Sequence, residues 1–287
     1  INSYYSNLIE GEHTAPIDVE RAVRKEYSAN EKKKRLQLLS VAHIEVQTLI
    51  DKRLEDEPEL NVCSSSFLCW IHGEFYRRVP ESFLRINLPN TDEFISMVPG
   101  KIRVRNVTVG NHLAPDHLSL SGFLERFEAE YDPSRLSGEK LLLAAAASHH
   151  RLAWIHPFLD GNGRVTRLFS YAYMRKAEIE SYGLWTLSRG LARRNDDYKM
   201  FLSDADSTRR GNFDGRGALS EEGLNRFCEF FFHVAEDQVR FMNDLLSLSN
   251  LRNRIISYVD LRSRNSIPSE KNLREEAKFV LAETMIR

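Results

Sequence analysis

The chain has 287 residues, 42% of them hydrophobic, and a formal net charge of −1. That is apolar material for one large domain or two modest ones, and the balanced charge lacks the basic excess expected of a nucleic-acid binder. No run of about 18 apolar residues occurs, so no membrane span or membrane partner is expected.

The chain starts at Ile1, with neither Met nor a signal-peptide pattern, and reads as a piece trimmed from a longer protein. SNLIEG (6–11) is unremarkable taken alone: Ser-x-x-x-Glu is common, and Gly11 is a plausible stop. Residues 17–55 carry Ile17, Val23, Leu36, Leu39, Ile44 and Leu49 at helical spacing amid dense charge. Within them EKKKR (31–35) reads as a solvated turn and helix start, and Pro58 closes the region. Residues 64–79 form a second amphipathic helical pattern between a Ser-rich cap and Pro80. PGKIRVRNVTVGNHLAPD (99–116) alternates Ile102, Val104, Val107 and Val109 with polar residues and is the one strong strand or hairpin signal. Helical pattern resumes at 118–130, 137–155, 163–179, 191–206 and 220–246, with a Gly- and Asp-rich loop at 207–219. The Arg-rich tail, 251–287, ends in helical pattern. Cys63, Cys69 and Cys228 are odd in number and lack CxxC spacing. They read as small hydrophobes of a reducing compartment, so a cytoplasmic location is expected.

HPFLDGNGRVTR (156–167) is poor core material. The helix before it must end near His156, because a residue preceding proline is pushed out of the α region. Gly161 and Gly163 permit positive φ and close backbone approach. The helix that follows would point its free N–H groups and positive end at the turn, a ready anion site. Arg164 and Arg167, three apart, share a face and suit phosphate oxygens. Asp160 is a hard oxygen ligand of the kind Mg²⁺ takes together with phosphates. His156, with a free pKa of ~6.5, suits a general base. Together these parts describe a phosphate-transfer site; the alternative is a polar joint between two helices. An EF-hand is excluded because Arg164 takes a ligand position and Tyr171 stands where the closing Glu belongs. The chain has no Walker loop. His149 and His150 do not complete a metal set with His156, since no carboxylate or thiolate joins them, and they read as packing or hydrogen-bonding residues.

The stretch resembles the signature of the Fic family, HPFx[D/E]GNGRxxR, at every fixed position. AAAASHHRLAWIHPF resembles the helix leading into that motif, and residues 99–116 resemble the family's flap hairpin. The resemblance runs from Ser6 to about Leu246. It implies an all-α fold, a Fic-type helical bundle with a small β-hairpin flap. It also implies a protein adenylyltransferase, which moves AMP from ATP to a Ser, Thr or Tyr hydroxyl of a target protein. By this resemblance His156 would be the base and Phe158 a core anchor. Asp160 would bind Mg²⁺, Gly161, Asn162 and Gly163 would form the anion hole, Arg164 would hold phosphates, and Arg167 would clamp the γ-phosphate. Tyr198, in RRNDDYKMFL, resembles the family position near the adenine. The flap, Arg103, Val104, Arg105, Asn106, Val107, Thr108, Val109, Gly110 and Asn111, would dock an extended segment of the target by strand addition.

SNLIEG also matches the family's inhibitory pattern, [S/T]xxxE[G/N], in the class that carries it N-terminal to the catalytic domain. Ser6, Glu10 and Gly11 would then form a guard, with Glu10 paired to Arg167. The expected division is an inhibitory region at 1–60, a catalytic domain at 61–246 and a helical tail at 247–287. Homodimers are common in the family, although no sequence patch here marks an interface. The competing readings are a de-AMPylase, a transferase of another nucleotide, and a DNA-binding regulator whose tail opens a winged-helix module. The charge balance does not favour DNA binding.

Overall fold

The computed structural model describes residues 1–87, 94–110, 112–179, 185–264, 266, 273–277 and 280–281. The chain divides into two compact units, 1–235 and 236–287.

The first unit begins with α1 (Asn2–Ile9), α2 (Pro16–Val23), α3 (Glu31–Asp56) and α4 (Ser65–Tyr76). Their starts follow from local chemistry. Pro16 opens α2, the Asn30 side chain accepts from Lys33 N at 3.1 Å to cap α3, and Ser64 does the same for Phe67 N at 3.2 Å to cap α4. α1 stops where Gly11, at φ 78°, adopts the left-handed conformation. Its N–H then bonds Leu8 O at 3.0 Å, and Glu12 N bonds Asn7 O at 2.9 Å. The next helices are α5 (Leu120–Tyr131), α6 (Gly138–Ile155), α7 (Asn162–Lys176), α8 (Leu187–Arg193) and α9 (Asn195–Ala205). α10 (Glu221–Leu246) begins in this unit and ends in the second, where α11 (Leu248–Ser263) follows.

α7 is the central helix, buried at nearly every position from Asn162 to Met174. It packs on α6, α4, α3 and α1. One core joins Leu39, Val46 and Ile50 of α3, Phe67, Ile71 and Phe75 of α4, Phe127 of α5, Leu152 and Ile155 of α6, and Val165, Leu168 and Phe169 of α7. Phe158 of the motif belongs to this core with no exposed surface. The turn between α6 and α7 is therefore anchored in the close-packed core.

The strands depart from the sequence reading. The expected hairpin at 99–116 is reduced to β3 (Thr108–Val109) pairing antiparallel with β4 (His112–Leu113); 101–107 is irregular. A second antiparallel strand pair, β1 (Arg85–Asn87) with β2 (Phe94–Ser96), was not expected. Its strands have three residues each, too short for alternation to register. The helical pattern at 191–206 is two helices parted at Arg194, with φ −121° and ψ 40°. The first begins at Leu187, earlier than the pattern suggested. Asn111 of the expected flap, and residues 265, 267–272, 278–279 and 282–287 of the tail read as a winged-helix start, lie outside the described residues. Among the described residues no helix is long and apolar enough to cross a membrane.

Candidate active site

The HPFLDGNGRVTR turn is built around one strained residue. His156 ends α6 in the left-handed region, φ 52° and ψ 59°, which is uncommon outside glycine and disfavoured without support. The support is Arg103, whose buried guanidinium donates from Nε to His156 O at 2.8 Å. It also donates to Arg105 O at 2.8 Å and to Pro115 O at 2.6 Å, while Arg103 N bonds Pro157 O at 2.9 Å. One side chain thus ties the motif turn to both ends of the expected flap.

The imidazole of His156 is oriented. Nδ1 lies 3.2 Å from Ala153 O. A carbonyl can only accept, so Nδ1 carries the proton and Nε2 keeps its lone pair. Burial is the main cause that lowers the His156 pKa to about 4, aided by His112 and Arg103 and opposed by the Ala153 carbonyl. The ring is neutral at pH 7, a more secure basic form than its ordinary pKa would give.

The rest of the turn closes on itself. Asn162 is buried, and its amide accepts from Phe158 N at 2.9 Å and donates to Phe158 O at 2.8 Å. Its side chain staples the loop, so the groups here left to bind an anion are backbone N–H groups. Those of Asn162, Gly163 and Arg164 precede the first bond of α7, Val165 N to Gly161 O at 3.0 Å. Gly161 sits at φ 78°, and a Cβ there would overlap the Tyr76 ring. Asp160 is exposed at the mouth, with Oδ1 accepting from Gly161 N at 2.7 Å. Beside the turn the buried Arg164 guanidinium and Tyr76 hydroxyl lie against each other, and Arg164 Nε has no hydrogen-bond partner among the described residues. The free N–H groups of a helix N-terminus and the guanidinium of Arg164 on its first turn are groups that fit an oxyanion.

A carboxylate from elsewhere in the chain lies at that N-terminus. Glu10, at the end of α1, places Oε1 2.5 Å from Arg167 Nη2. Ser6 completes the grip: Arg167 Nε donates to its Oγ at 2.9 Å and Nη2 to its carbonyl at 3.0 Å. A Cβ on Gly163 would strike Glu10 Oε1, so the carboxylate rests on the first turn of α7. Burial alone would raise the Glu10 pKa, but the charges of Arg167 and Arg164 and the Arg167 hydrogen bond outweigh it and hold the value low. The Arg167 side chain is buried, whereas that of Glu10 is 32% exposed, so the pair contributes on the order of 1–2 kcal/mol.

Tyr198 lies under Arg167, with its buried hydroxyl 2.8 Å from His149 Nε2 and its pKa pushed up to about 12 by burial. His149 Nδ1 reaches Ser170 Oγ at 2.6 Å, and His150 Nε2 reaches Asp206 Oδ1 at 3.0 Å. Both histidines therefore make hydrogen bonds. The flap residues separate into two groups. Val104, Arg105, Thr108, Val109 and Gly110 are exposed, and Val107 is partly so. Asn106 is engaged within the loop with Asp116 and His117, and Arg103 faces inward as the strut described above. The sequence reading gave Arg103 to the target; its alternation with Ile102 and Val104 concealed a buried charge.

His72 of α4 was also missed. It is fully buried, stacked on Phe158 with ring centroids 4.1 Å apart. Nδ1 accepts from Gly100 N at 2.8 Å, and Nε2 lies 3.3 Å from Asp160 O. It joins the base of the flap to the motif turn, a link between residues far apart in sequence that no local pattern carries.

This helical fold and this turn are those of a Fic domain: the Fic/DOC family model matches residues 62–174, which include the whole motif. The chain therefore carries a Fic/DOC domain. Among curated proteins it resembles the Protein adenylyltransferase Fic of Drosophila erecta and that of Drosophila melanogaster, each 36% identical over 78 residues. Those residues are 27% of this chain and 16% of either relative, so the match spans about a sixth of their length. Among solved structures, a Fic family protein from Desulfovibrio desulfuricans G20 aligns over 86% of this chain and 65% of its own, with 18% identity and a TM-score of 0.59. Fic-1 (aa134–508) of C. elegans aligns over 84% and 60%, with 15% identity and a TM-score of 0.59. At these identities the structures support the fold alone.

Proposed function

We propose that the protein is a self-inhibited protein adenylyltransferase that moves AMP from ATP to a hydroxyl of a target protein. The observation that carries this reading is the Glu10 carboxylate held on Arg167 over Gly163: the chain covers its own anion site with an anion. In the open state the triphosphate would lie along the N–H groups of Asn162, Gly163 and Arg164, with Arg167 on its terminal phosphate. His156 Nε2 takes the proton of the acceptor hydroxyl as that oxygen bonds the α-phosphorus. The bond to the β-phosphate oxygen breaks, and pyrophosphate leaves. The site would act mainly by positioning and by stabilising charge. Asp160, exposed beside the phosphate cradle, fits the hard-oxygen preference of Mg²⁺, which when bound supplies charge neutralisation to the phosphates. Tyr198, beneath Arg167, would support the nucleotide side of the site, and the exposed part of the flap would take the target backbone.

Relief of the guard requires an agent that prefers the open state: a partner, an altered oligomer or a modification. De-AMPylation is the second reading, favoured by the 32% exposure of Glu10, which lets water reach its carboxylate.

The test uses ATP labelled at the α-phosphate. Glu10→Gly should raise auto- or target labelling roughly tenfold or more over the unmodified chain, and His156→Ala should abolish it. Unchanged labelling in Glu10→Gly, with ATP bound, would sink the inhibition claim. Parallel incubation with the four nucleoside triphosphates and with a pre-AMPylated target separates the alternatives.

A further inference from the structure

His112, on the far strand of the flap, bridges two elements of the catalytic core. Its Nδ1 lies 3.0 Å from Asp206 Oδ2, just past the end of α9, and its Nε2 lies 2.9 Å from Trp154 O in the last turn of α6. A carbonyl can only accept. Asp206 also takes the His150 Nε2 hydrogen bond on its other oxygen, and its pKa is brought down to about 2 by both imidazoles against the cost of burial. It is therefore a carboxylate and also accepts. Both ring nitrogens of His112 must then donate, which makes the ring an imidazolium. The strand it sits on pairs Val109 with His112 and Thr108 with Leu113, so whatever holds His112 holds the exposed strand β3. Its ring centroid is 6.1 Å from that of His156.

We propose that His112 is a positioning residue: as an imidazolium bridging Asp206 and the Trp154 carbonyl, it fixes the flap over the catalytic turn and makes acceptor docking depend on the charge of one side chain. This rests on the adenylyltransferase reading only for the word acceptor; the tether itself does not. The surrounding charges support it. Burial disfavours the charged ring and Arg103 opposes it, but the Asp206 bond and charge together with the Trp154 carbonyl raise the His112 pKa. The neighbours on α6, His150 and His156, both have lowered pKa values, dominated by burial, and so do not compete as cations. A raised folded pKa means that the tether is complete below the ordinary histidine value and is lost as pH rises through the folded one. Arg103 anchors the flap at its base whatever the pH, and His112 makes its outer strand titratable.

The test is hydrogen exchange over residues 104–110, corrected for intrinsic rates, at pH 6 and pH 9, in the unmodified chain, His112→Gln and Asp206→Asn. His112→Gln keeps a donor for the carbonyl and removes the charge; Asp206→Asn keeps an acceptor for His150. Flap protection in the unmodified chain should fall roughly tenfold or more from pH 6 to pH 9, and both variants should be unprotected at pH 6, with α7 unchanged. Flap protection equal in all three proteins, or equal at both pH values in the unmodified chain, overturns the tether. Should a variant lose protection throughout, the NMR titration of His112 in the unmodified chain decides: a pKa at or below that of free histidine overturns the proposal. In the Glu10→Gly background, His112→Gln should raise KM for the acceptor and leave ATP affinity unchanged. Absent labelling by Glu10→Gly itself would count against AMP transfer and leave the exchange result standing.

Discussion

Single residues carry the chemistry of this site, and several of them are held by one neighbour. His156 occupies a left-handed conformation that costs roughly 1–3 kcal/mol unless its surroundings enforce it, and Arg103 is that enforcement. Arg103→Met should therefore lower kcat in the Glu10→Gly background by about tenfold or more and leave ATP affinity nearly unchanged; equal kcat would remove Arg103 from the site. Burial of the His156 ring makes a second expectation. Its imidazole should remain neutral in NMR titration from pH 7 down to pH 5, because its pKa lies at about 4. Protonation near pH 6.5 would mean that the ring is solvated. Gly161 is fixed by both its φ of 78° and the Tyr76 ring beneath it, so Gly161→Ala should destabilise by about 2–4 kcal/mol in chemical denaturation.

At the scale of elements, α1 is the part that moves in the proposed cycle. An eight-residue helix is not stable alone in water, so α1 exists because α3, α7 and α8 receive it and because Arg167 holds Ser6 and Glu10. Deleting residues 1–11 should expose Arg167 and give labelling at least equal to that of Glu10→Gly. Labelling at the level of the unmodified chain would show that α1 is no guard. The depressed Glu10 pKa fixes the sign of its pH dependence: the docking energy is complete above the ordinary carboxylate value and drains away as pH falls through the folded one. The motif turn was legible because its glycines, its proline and its paired arginines are local requirements. The pairing of 85–87 with 94–96 was not, because three-residue strands carry no periodicity, and the strand pattern at 101–107 misled because Arg103 follows buried carbonyls and not a ladder.

The whole molecule keeps several imidazoles neutral inside its core. His43 and His149 are pushed down to about 3 and His72 to about 4, each chiefly by burial. An unfolded histidine takes up a proton below ~6.5, so these residues favour the unfolded chain increasingly as pH falls below that value. At pH 5 the loss is roughly 2 kcal/mol for each, together comparable with the net stability of an ordinary domain. Urea denaturation at pH 7 and pH 5 should show the midpoint falling steeply, well above the range where carboxylates titrate. An equal midpoint at both values would contradict the burial of these rings.

The sequence by itself determined the helical architecture, the turn at 156–167 and the presence of a second carboxylate motif at 6–11. Each is a short-range matter: spacing, caps, a residue before proline, glycines where φ must be positive. Beyond the Glu10–Arg167 pair that the family resemblance implied, no local stretch says what those pieces touch; tertiary structure decided it. Glu10 and Arg167 stand 157 residues apart, and the packing of α1 against α7 and α8 is what brings a carboxylate onto the N-terminal end of α7. Arg103, His72 and His112 acquired their roles the same way, because buried polar groups must find partners, and where those partners lie is a property of the folded core and not of any local stretch.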